Sequence, residues 1–553
     1  MNTKLFLTSV LASTLICHSG QSFAAQYEIK EISPLDQYRE YSSMGINDSG
    51  TVVGIASDKF NFQFYNESYI ENSYKSACGL SDSEVASGSF DASSTSCLMS
   101  VLSSLTSASY QKLGTYKSFI SSGDDTTLAI LSDVVDGELG DYTTSNTEIV
   151  YAINSNDIAV GTTSAPFIPV DFSYTNSNNI KFDLKYWQRE YKTRAAVYLS
   201  GSVSLIEPTF SDYGGLTSAV DISDSGYVAG YSSTSMFDSA LSAIESDCIS
   251  ETEPLLVCVW GKQQASALYA TSPYIWQVDS SGNVLSSTEF GLGLTVDDST
   301  STSSYTAVIS AVNDEGIGVG YGHVYNSDES VRIQPLVFVR SDKSTESLID
   351  NDLYDAGYAS DINNSNVVVG KVQTYYDGTY NDEFFVYDMA TEELQTPDTF
   401  YTSAESSANA INDLGKVIGE AEYEVTTDTV RRKHGFIYDI NTKEFFDIND
   451  LVECNSEFEI VEMKDINNSN QIAATALKTI DERDSLGEVK YDTYGEPYKE
   501  QVTVSVLLTP IESGEIENCS DVNEDKYERK GLSSTPILLI FLSALLYIRR
   551  RSI

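Results

Sequence analysis

One arrangement of apolar and polar positions recurs seven times along this chain. It occupies residues Gly45–Gly54, Ala152–Gly161, Asp221–Gly230, Ala311–Gly320, Asp361–Gly370, Ala410–Gly419 and Asp465–Ala474. Each copy runs from an apolar residue into Asn (Ser223 in the third), through a polar tight turn, and out into a Val-Val-type pair. Asn and Asp bond their own backbone two residues on, and Gly or Asn accepts the positive φ of a hairpin turn, so each copy predicts a β-hairpin and not a helix. The Gly that closes most copies predicts a close backbone approach to a neighbour. Between the copies lie apolar-aromatic strands, such as Ala196–Leu199, Tyr274–Val278, Pro335–Val339, Phe384–Met389 and His434–Ile440. Two strands there and two in the hairpin give four per unit, and the last three intervals between equivalent Asn positions are 50, 49 and 55 residues. That is the size of a kelch-class propeller blade. The expected fold is all-β and propeller-like, with about seven four-stranded blades.

The circle is expected to close through its ends. The first hairpin has only Tyr27–Ile32 before it, and the last strand, Val502–Leu508, follows the seventh hairpin without a hairpin of its own. Pairing the two completes one blade from both termini and leaves no free edge. The domain plan is a signal peptide at 1–24, a body at 25–510, an acidic stalk at 511–531 and a tail at 532–553. Irregular spacing marks insertions at about 58–125, 172–192 and 235–270. Long loops on such a body are where binding function sits.

Both ends of the chain point out of the cytoplasm. Lys4, the apolar run Leu5–Ile16 and the small residues Ser22 and Ala24 form the three regions of a secretory signal. At the other end, Leu532–Ile548 is a largely apolar helix candidate at the short limit for crossing a bilayer, followed by Arg549, Arg550 and Arg551. The tail is similar to the GlyGly-CTERM sorting tails of Gram-negative surface proteins, although Gly531-Leu532-Ser533-Ser534 has one glycine where that family has two. The resemblance implies tail cleavage and delivery to the outer surface; a single-pass membrane anchor is the alternative. The hairpins resemble HAF-type extracellular repeats, whose turn leads to a His-Ala-Phe-type strand matched best by His434-Gly435-Phe436. The whole layout resembles an uncharacterised family of exported proteins, which implies an extracellular place and no known reaction.

Charge and cysteines agree with export. The chain holds 81 acidic and 33 basic side chains. Without the signal and tail the basic count falls to 29 while all 81 acids remain. Such a surface repels nucleic acid and anionic headgroups, which excludes DNA and RNA as partners. Cys17 leaves with the signal, and the other six are expected to pair by proximity in sequence: Cys78–Cys97, Cys248–Cys258 and Cys454–Cys519. The last bond would lock the closing strand, at about 4 kcal/mol by loop entropy.

Chemistry is sparse. His323 and His434 are the only histidines beyond the signal, and no GxSxG, HExxH or P-loop spacing is present. No catalytic residue or cofactor is assigned. Asp521, Asn523 and Asp525 have the alternating oxygens of a Ca²⁺ loop without its central Gly or closing Glu, and solvated linker is the preferred reading. The Asn-Asp turns are read as turn formers. Tyrosines are read as packing, with loop pairs such as Tyr375-Tyr376 the places where one would grip a glycan or protein. The expectation is a non-enzymatic surface module binding glycan or protein, with aromatics on its loops and no converging acids in the channel. The alternative is an envelope glycan hydrolase or lyase with buried, raised-pKa acids at the channel mouth.

Overall fold

The computed structural model describes residues 26–512 and 514–516, apart from 33–34, 66–74, 250–251, 296–304, 377 and 426–430. The proposed signal, the tail and most of the stalk therefore lie outside the described residues.

Seven four-stranded antiparallel sheets form a ring. Blade 1 is built from Tyr38–Ile46, Val52–Lys59, Lys117–Ser122 and Asp125–Ala129, and blade 2 from Glu148–Ile153, Ala159–Thr163, Arg194–Leu199 and Ser202–Ile206. Blade 3 contains Thr217–Ile222, Tyr227–Met236, Tyr269–Val278 and Val284–Glu289; blade 4 contains Ala307–Val312, Ile317–Tyr325, Val331–Val339 and Ser344–Ser347. Blade 5 contains Ala356–Ile362, Val367–Tyr376, Thr379–Asp388 and Glu393–Gln395; blade 6 contains Ser406–Ile411, Lys416–Glu422, Lys433–Asp439 and Glu444–Asp447. Blade 7 takes Phe458–Ile466, Ile472–Asp481 and Lys499–Pro510 from the end of the chain and Tyr27–Glu31 from its beginning. The closing strands pair in register, Tyr27 against Pro510 and Glu31 against Val506. The protein is a seven-bladed β-propeller sealed by both termini.

Each Asn turn joins the first and second strands of its blade. The first strands run along the channel, because the residues that end them line one recess on the axis. A β-bulge interrupts the pairing of first and second strands at the same place in all seven blades, as between Ala359 and Asp361 or Ala408 and Ala410. The bulge explains the Gly that closes six of the seven repeats. A Cβ at Gly370 would stand 2.0 Å from the Tyr358 carbonyl oxygen, and one at Gly230 only 1.8 Å from that of Ser218. The close approach is therefore within the glycine's own blade, not to a neighbour. In blade 7, where Ala474 replaces Gly, the first strand carries a second bulge between Ile460 and Glu462.

There is no single core. Within the ring, apolar side chains gather into seven clusters, one per seam between adjacent blades, and further clusters lie in the long connections. Val368, Val372 and Phe385 of blade 5, for example, meet Val319 and Val337 of blade 4. Each fully buried side chain of this kind contributes about 1.5–3 kcal/mol relative to exposure. Sheets buried on both faces need near-continuous apolar strands, which is what Val367-Val368-Val369 supplies. The outermost strands are less deeply covered: in Glu444–Asp447 the first residue is exposed and Phe445 and Phe446 are half-buried against neighbouring seams.

Four helices, Asp82–Ser87, Ala92–Ser104, Asp238–Asp247 and Leu255–Ala265, lie in connections and not in blades. The first connection ends at Tyr116, short of the 125 read from spacing, because Lys117–Ser122 is the third strand of blade 1.

Candidate functional site

The ring has two different ends. At the end that carries the turns, each Asn does two jobs. Its side-chain oxygen accepts backbone N–H groups two and four residues on: from Ser49 (3.1 Å) and Thr51 (3.0 Å) to Asn47, and from Leu414 (3.1 Å) and Lys416 (2.9 Å) to Asn412. Its amide then donates to the carbonyl of the equivalent residue in the next blade. Asn313 donates to Asn363, Asn363 to Asn412, Asn412 to Asn467, Asn467 to Asn47, Asn47 to Asn154, and Asn154 to Ser223, at 2.9–3.3 Å. Only the seam after blade 3 lacks this link, because Ser223 has no amide to give; there Asp314 accepts from the Ser225 N–H at 2.7 Å. The turn-forming role read from sequence is present, and the ring of blade-to-blade bonds is additional to it.

Beneath the Asn ring stand three half-buried aspartates, Asp221, Asp361 and Asp465, one residue before the apolar end of their strands in blades 3, 5 and 7. Each reaches the next blade: Asp221 accepts from Val312 N–H (2.8 Å), Asp361 from Ile411 (2.8 Å) and Asp465 from Ile46 (2.9 Å). Asp361 and Asp465 also accept the N–H of the following residue. Burial pushes all three above the usual aspartate range, Asp221 to about 6, and Asp221 and Asp465 push Asp361 further by like charge. They flank a small recess of about 170 Å³ at the channel mouth. Acids therefore do converge here, against what was expected of a pure binding module. Their oxygens are engaged by backbone donors across the seams, which is the chemistry of a staple.

The opposite end carries the long connections. In blades 7, 1, 2 and 3, consecutive around the ring, the link from second to third strand spans residues 482–498, 60–116, 164–193 and 237–268, whereas blades 4 and 5 make short hairpins there. Disulfides Cys78–Cys97 and Cys248–Cys258 staple two of these links. The connections pack on one another: Tyr65, Phe167 and Trp187 form a joint core that Trp260 flanks, and Ser485 Oγ donates to the Ala92 carbonyl (2.6 Å). The link in blade 2 includes a hairpin, Ile168–Thr175 against Lys181–Gln188, that pairs with no other strand among the described residues. Its alternation puts Phe172, Tyr174, Phe182, Leu184 and Tyr186 on one face, with Tyr174 and Phe182 stacked at 5.1 Å.

Between the Ala92–Ser104 helix and blade 1 the loop end holds a half-open cavity of about 570 Å³. Its floor rests on a buried ion cluster: Lys117 Nζ meets Asp133 at 2.6 Å and Glu148 at 3.3 Å, all three side chains at most 3% exposed. Glu148 in turn accepts the N–H groups of Leu131, Ser132 and Asp133. Sequence reading missed this cluster; its members lie up to 31 residues apart with no shared spacing, and only the fold brings them together.

Exposed aromatic side chains separate cleanly between the ends. Among the described residues, the exposed Tyr and Phe side chains are Phe182, Tyr325, Tyr375, Tyr380, Tyr491, Tyr494 and Tyr498. All belong to second-to-third-strand links or to the strand ends beside them. Tyr375 is 60% exposed and meets Tyr380 edge-on, at the place where the sequence put a loop pair open to a partner. His434 is an anchor, its Nδ1 2.6 Å from Asp447 and its ring stacked on Tyr423. Asp521, Asn523, Asp525 and Cys519 fall outside the described residues, and so does the expected bond to Cys454. No group of three or more His, Cys, Asp or Glu is arranged to hold a metal among the described residues. Nor is any helix among them long and apolar enough to cross a membrane.

Solved propellers resemble this ring in outline. The acylaminoacyl peptidase of Pyrococcus horikoshii aligns with 80% of this chain and 51% of its own, at 10% identity and a TM-score of 0.36. TolB from Acinetobacter baumannii aligns with 63% of this chain and 65% of its own, at 11% identity and a TM-score of 0.27. The Dos1 propeller aligns with 87% of this chain and 95% of its own, at 9% identity and a TM-score of 0.33. The chain thus spans about half the length of the first and under two thirds of the second, and at such scores none of these likenesses carries an argument about activity. No curated protein matches the chain in sequence. A family profile, however, matches residues 4–551, and by that match the chain belongs to the family described as "Protein of unknown function (DUF3466)".

Proposed function

We propose that this protein is an exported, non-enzymatic binding module that meets a glycan or protein partner with the loop end of its ring. The observation that carries this reading is the gathering of every exposed Tyr and Phe among the described residues at that end. Aromatic rings give large contact area at small entropic cost, and they concentrate at recognition surfaces. Tyr27 and Pro510 pair on the turn side of blade 7, so the chain enters and leaves the ring away from that face. A C-terminal membrane anchor, or a GlyGly-CTERM-like tail before processing, then points the loops outward. Disulfides of the kind present form in oxidising compartments outside the cytoplasm, which supports export. The HAF-type reading of the repeats supports the same location.

The test uses purified full-length protein in a glycan array and a pull-down, with Tyr375→Ser/Tyr380→Ser and Tyr494→Ser variants beside a turn-end control, Leu414→Ser. Binding that falls at least tenfold in the loop variants and persists in the control is the expected result. Binding lost only with the turn-end change overturns it.

A second reading, an envelope glycan hydrolase or lyase, is favoured by one observation: three half-buried carboxylates of raised pKa beside the channel recess. It requires release of new chain ends from a polysaccharide at a rate that Asp361→Asn abolishes while the protein stays folded.

A further inference from the structure

The cavity between the Ala92–Ser104 helix and blade 1 has a lining that selects a chemistry. Phe62, Met99 and Leu113 supply apolar wall, and Tyr38, Tyr116 and Ser103 supply neutral hydroxyls. The charged groups that face it are already paired. Lys59 meets Asp141 at 3.3 Å, Lys117 meets Asp133 and Glu148, and Asp58 meets Arg39 at 2.9 Å. An ionic ligand would have to break one of these pairs, and an anion would also approach against the strong negative charge of the whole chain.

Tyr38 is the pointer to an occupant. Its side chain is in the floor, the residue is only 7% exposed, and its hydroxyl has no hydrogen-bond partner among the described residues. Burial, then the nearby Asp133 and Glu148, pushes the phenol above its ordinary value, which keeps it a proton donor. That hydroxyl is not one of the fully buried polar atoms left without a partner, so it opens into the cavity, where a ligand oxygen can accept its hydrogen bond in place of water. The site is built to hold its shape: the Cys78–Cys97 disulfide staples the helix that forms one wall, and the Lys117 cluster fixes the floor. Its volume of about 570 Å³ lies within the range of small-molecule pockets, roughly 300–1,000 Å³.

We propose that this cavity is a binding site for a neutral saccharide unit, whose ring carries an apolar face for Phe62, Met99 and Leu113 and hydroxyls for Tyr38 and its polar neighbours. This inference rests on the reading of the loop end as the recognition face, and names a ligand class and a site within it.

The experiment probes the full-length chain with neutral oligosaccharides of hexoses and N-acetylhexosamines, and with uronic-acid oligosaccharides as the acidic arm. Two variants separate binding from folding. Tyr38→Phe removes only an unpartnered hydroxyl, so its melting temperature should hold while affinity for the neutral sugar falls roughly tenfold. Ser103→Trp places an indole in the cavity mouth from an exposed helix position and should abolish binding with the melt unchanged. Sugar binding untouched by both variants overturns the site while leaving the loop-end reading intact, as does a preference for the acidic arm. A protein partner captured at the loop end with no sugar bound has the same meaning. Loss of sugar binding through Leu414→Ser alone overturns both.

Discussion

A methyl group on Gly370 would stand 2.0 Å from the Tyr358 oxygen, and on Gly419 2.0 Å from that of Ser407. No rotamer relieves a Cβ, so the bulged strand must move or the blade must loosen. Gly370→Ala is expected to destabilise the ring by about 1–3 kcal/mol or more, read as a lowered urea midpoint. Gly261 is the contrast: it sits in the Leu255–Ala265 helix with open space around its missing Cβ, and Gly261→Ala should stabilise by about 0.5–1 kcal/mol. The three half-buried aspartates of the turn end make a prediction of different kind. Their carboxyls bind a proton more readily in the folded chain than in the unfolded one, where aspartate titrates near about 4. The stability linked to Asp221 is therefore complete below about pH 4 and lost as pH rises through about 6. Moving from about pH 7 to about pH 5 should raise stability by about 1 kcal/mol from Asp221 alone. Unfolding measured in about 0.5 M salt, which screens the general repulsion of the acidic surface, should show that rise, and Asp221→Asn should lack its share of it.

At the scale of the element, the seams do what a core does elsewhere. Each blade is a small sheet that cannot bury both faces alone, and its neighbours complete it through one apolar cluster and one Asn bond. The seam between blades 3 and 4 keeps its cluster but lacks the Asn bond, since Ser223 stands at that position. Ser223→Asn is expected to complete the ring by donating to the Asn313 carbonyl, with a gain of about 0.5–1.5 kcal/mol seen as a higher melting temperature. A fall would mean that the Ser225–Asp314 bond has set a geometry that an amide disrupts.

For the whole molecule the decisive element is the five-residue strand Tyr27–Glu31. It covers the edge of Lys499–Pro510, and Gln26 and Tyr27 donate to the Leu451 carbonyl of the connection from blade 6. Lys478 ties it to blade 7 through Glu31 at 2.6 Å. Without it a twelve-residue strand would present a free row of donors and acceptors. A chain beginning at residue 33 should melt lower than the longer form and self-associate in a concentration-dependent way; adding a synthetic 25–32 peptide should reverse both. A deletion that leaves the melt unchanged would show that closure contributes nothing to stability.

How much was legible beforehand follows from what each feature depends on. Turn chemistry, strand period and repeat spacing are local, so the sequence alone determined the hairpins, the seven-fold count, the four-stranded blade and the closing pair, residue by residue around Asn47, Asn363 or Asn467. Cysteines near in sequence likewise announced Cys78–Cys97 and Cys248–Cys258. Only the tertiary structure decided which side chains meet across seams: that Asn412 reaches Asn467, that Asp361 reaches Ile411, and that Lys117 finds Asp133 and Glu148 beneath a cavity walled by a distant helix. These are contacts between elements whose separation in the chain is set by loop length and whose approach is set by ring curvature. Neither quantity is written in any local pattern, which is why the loop face emerges from the fold while the ring itself emerges from the repeat.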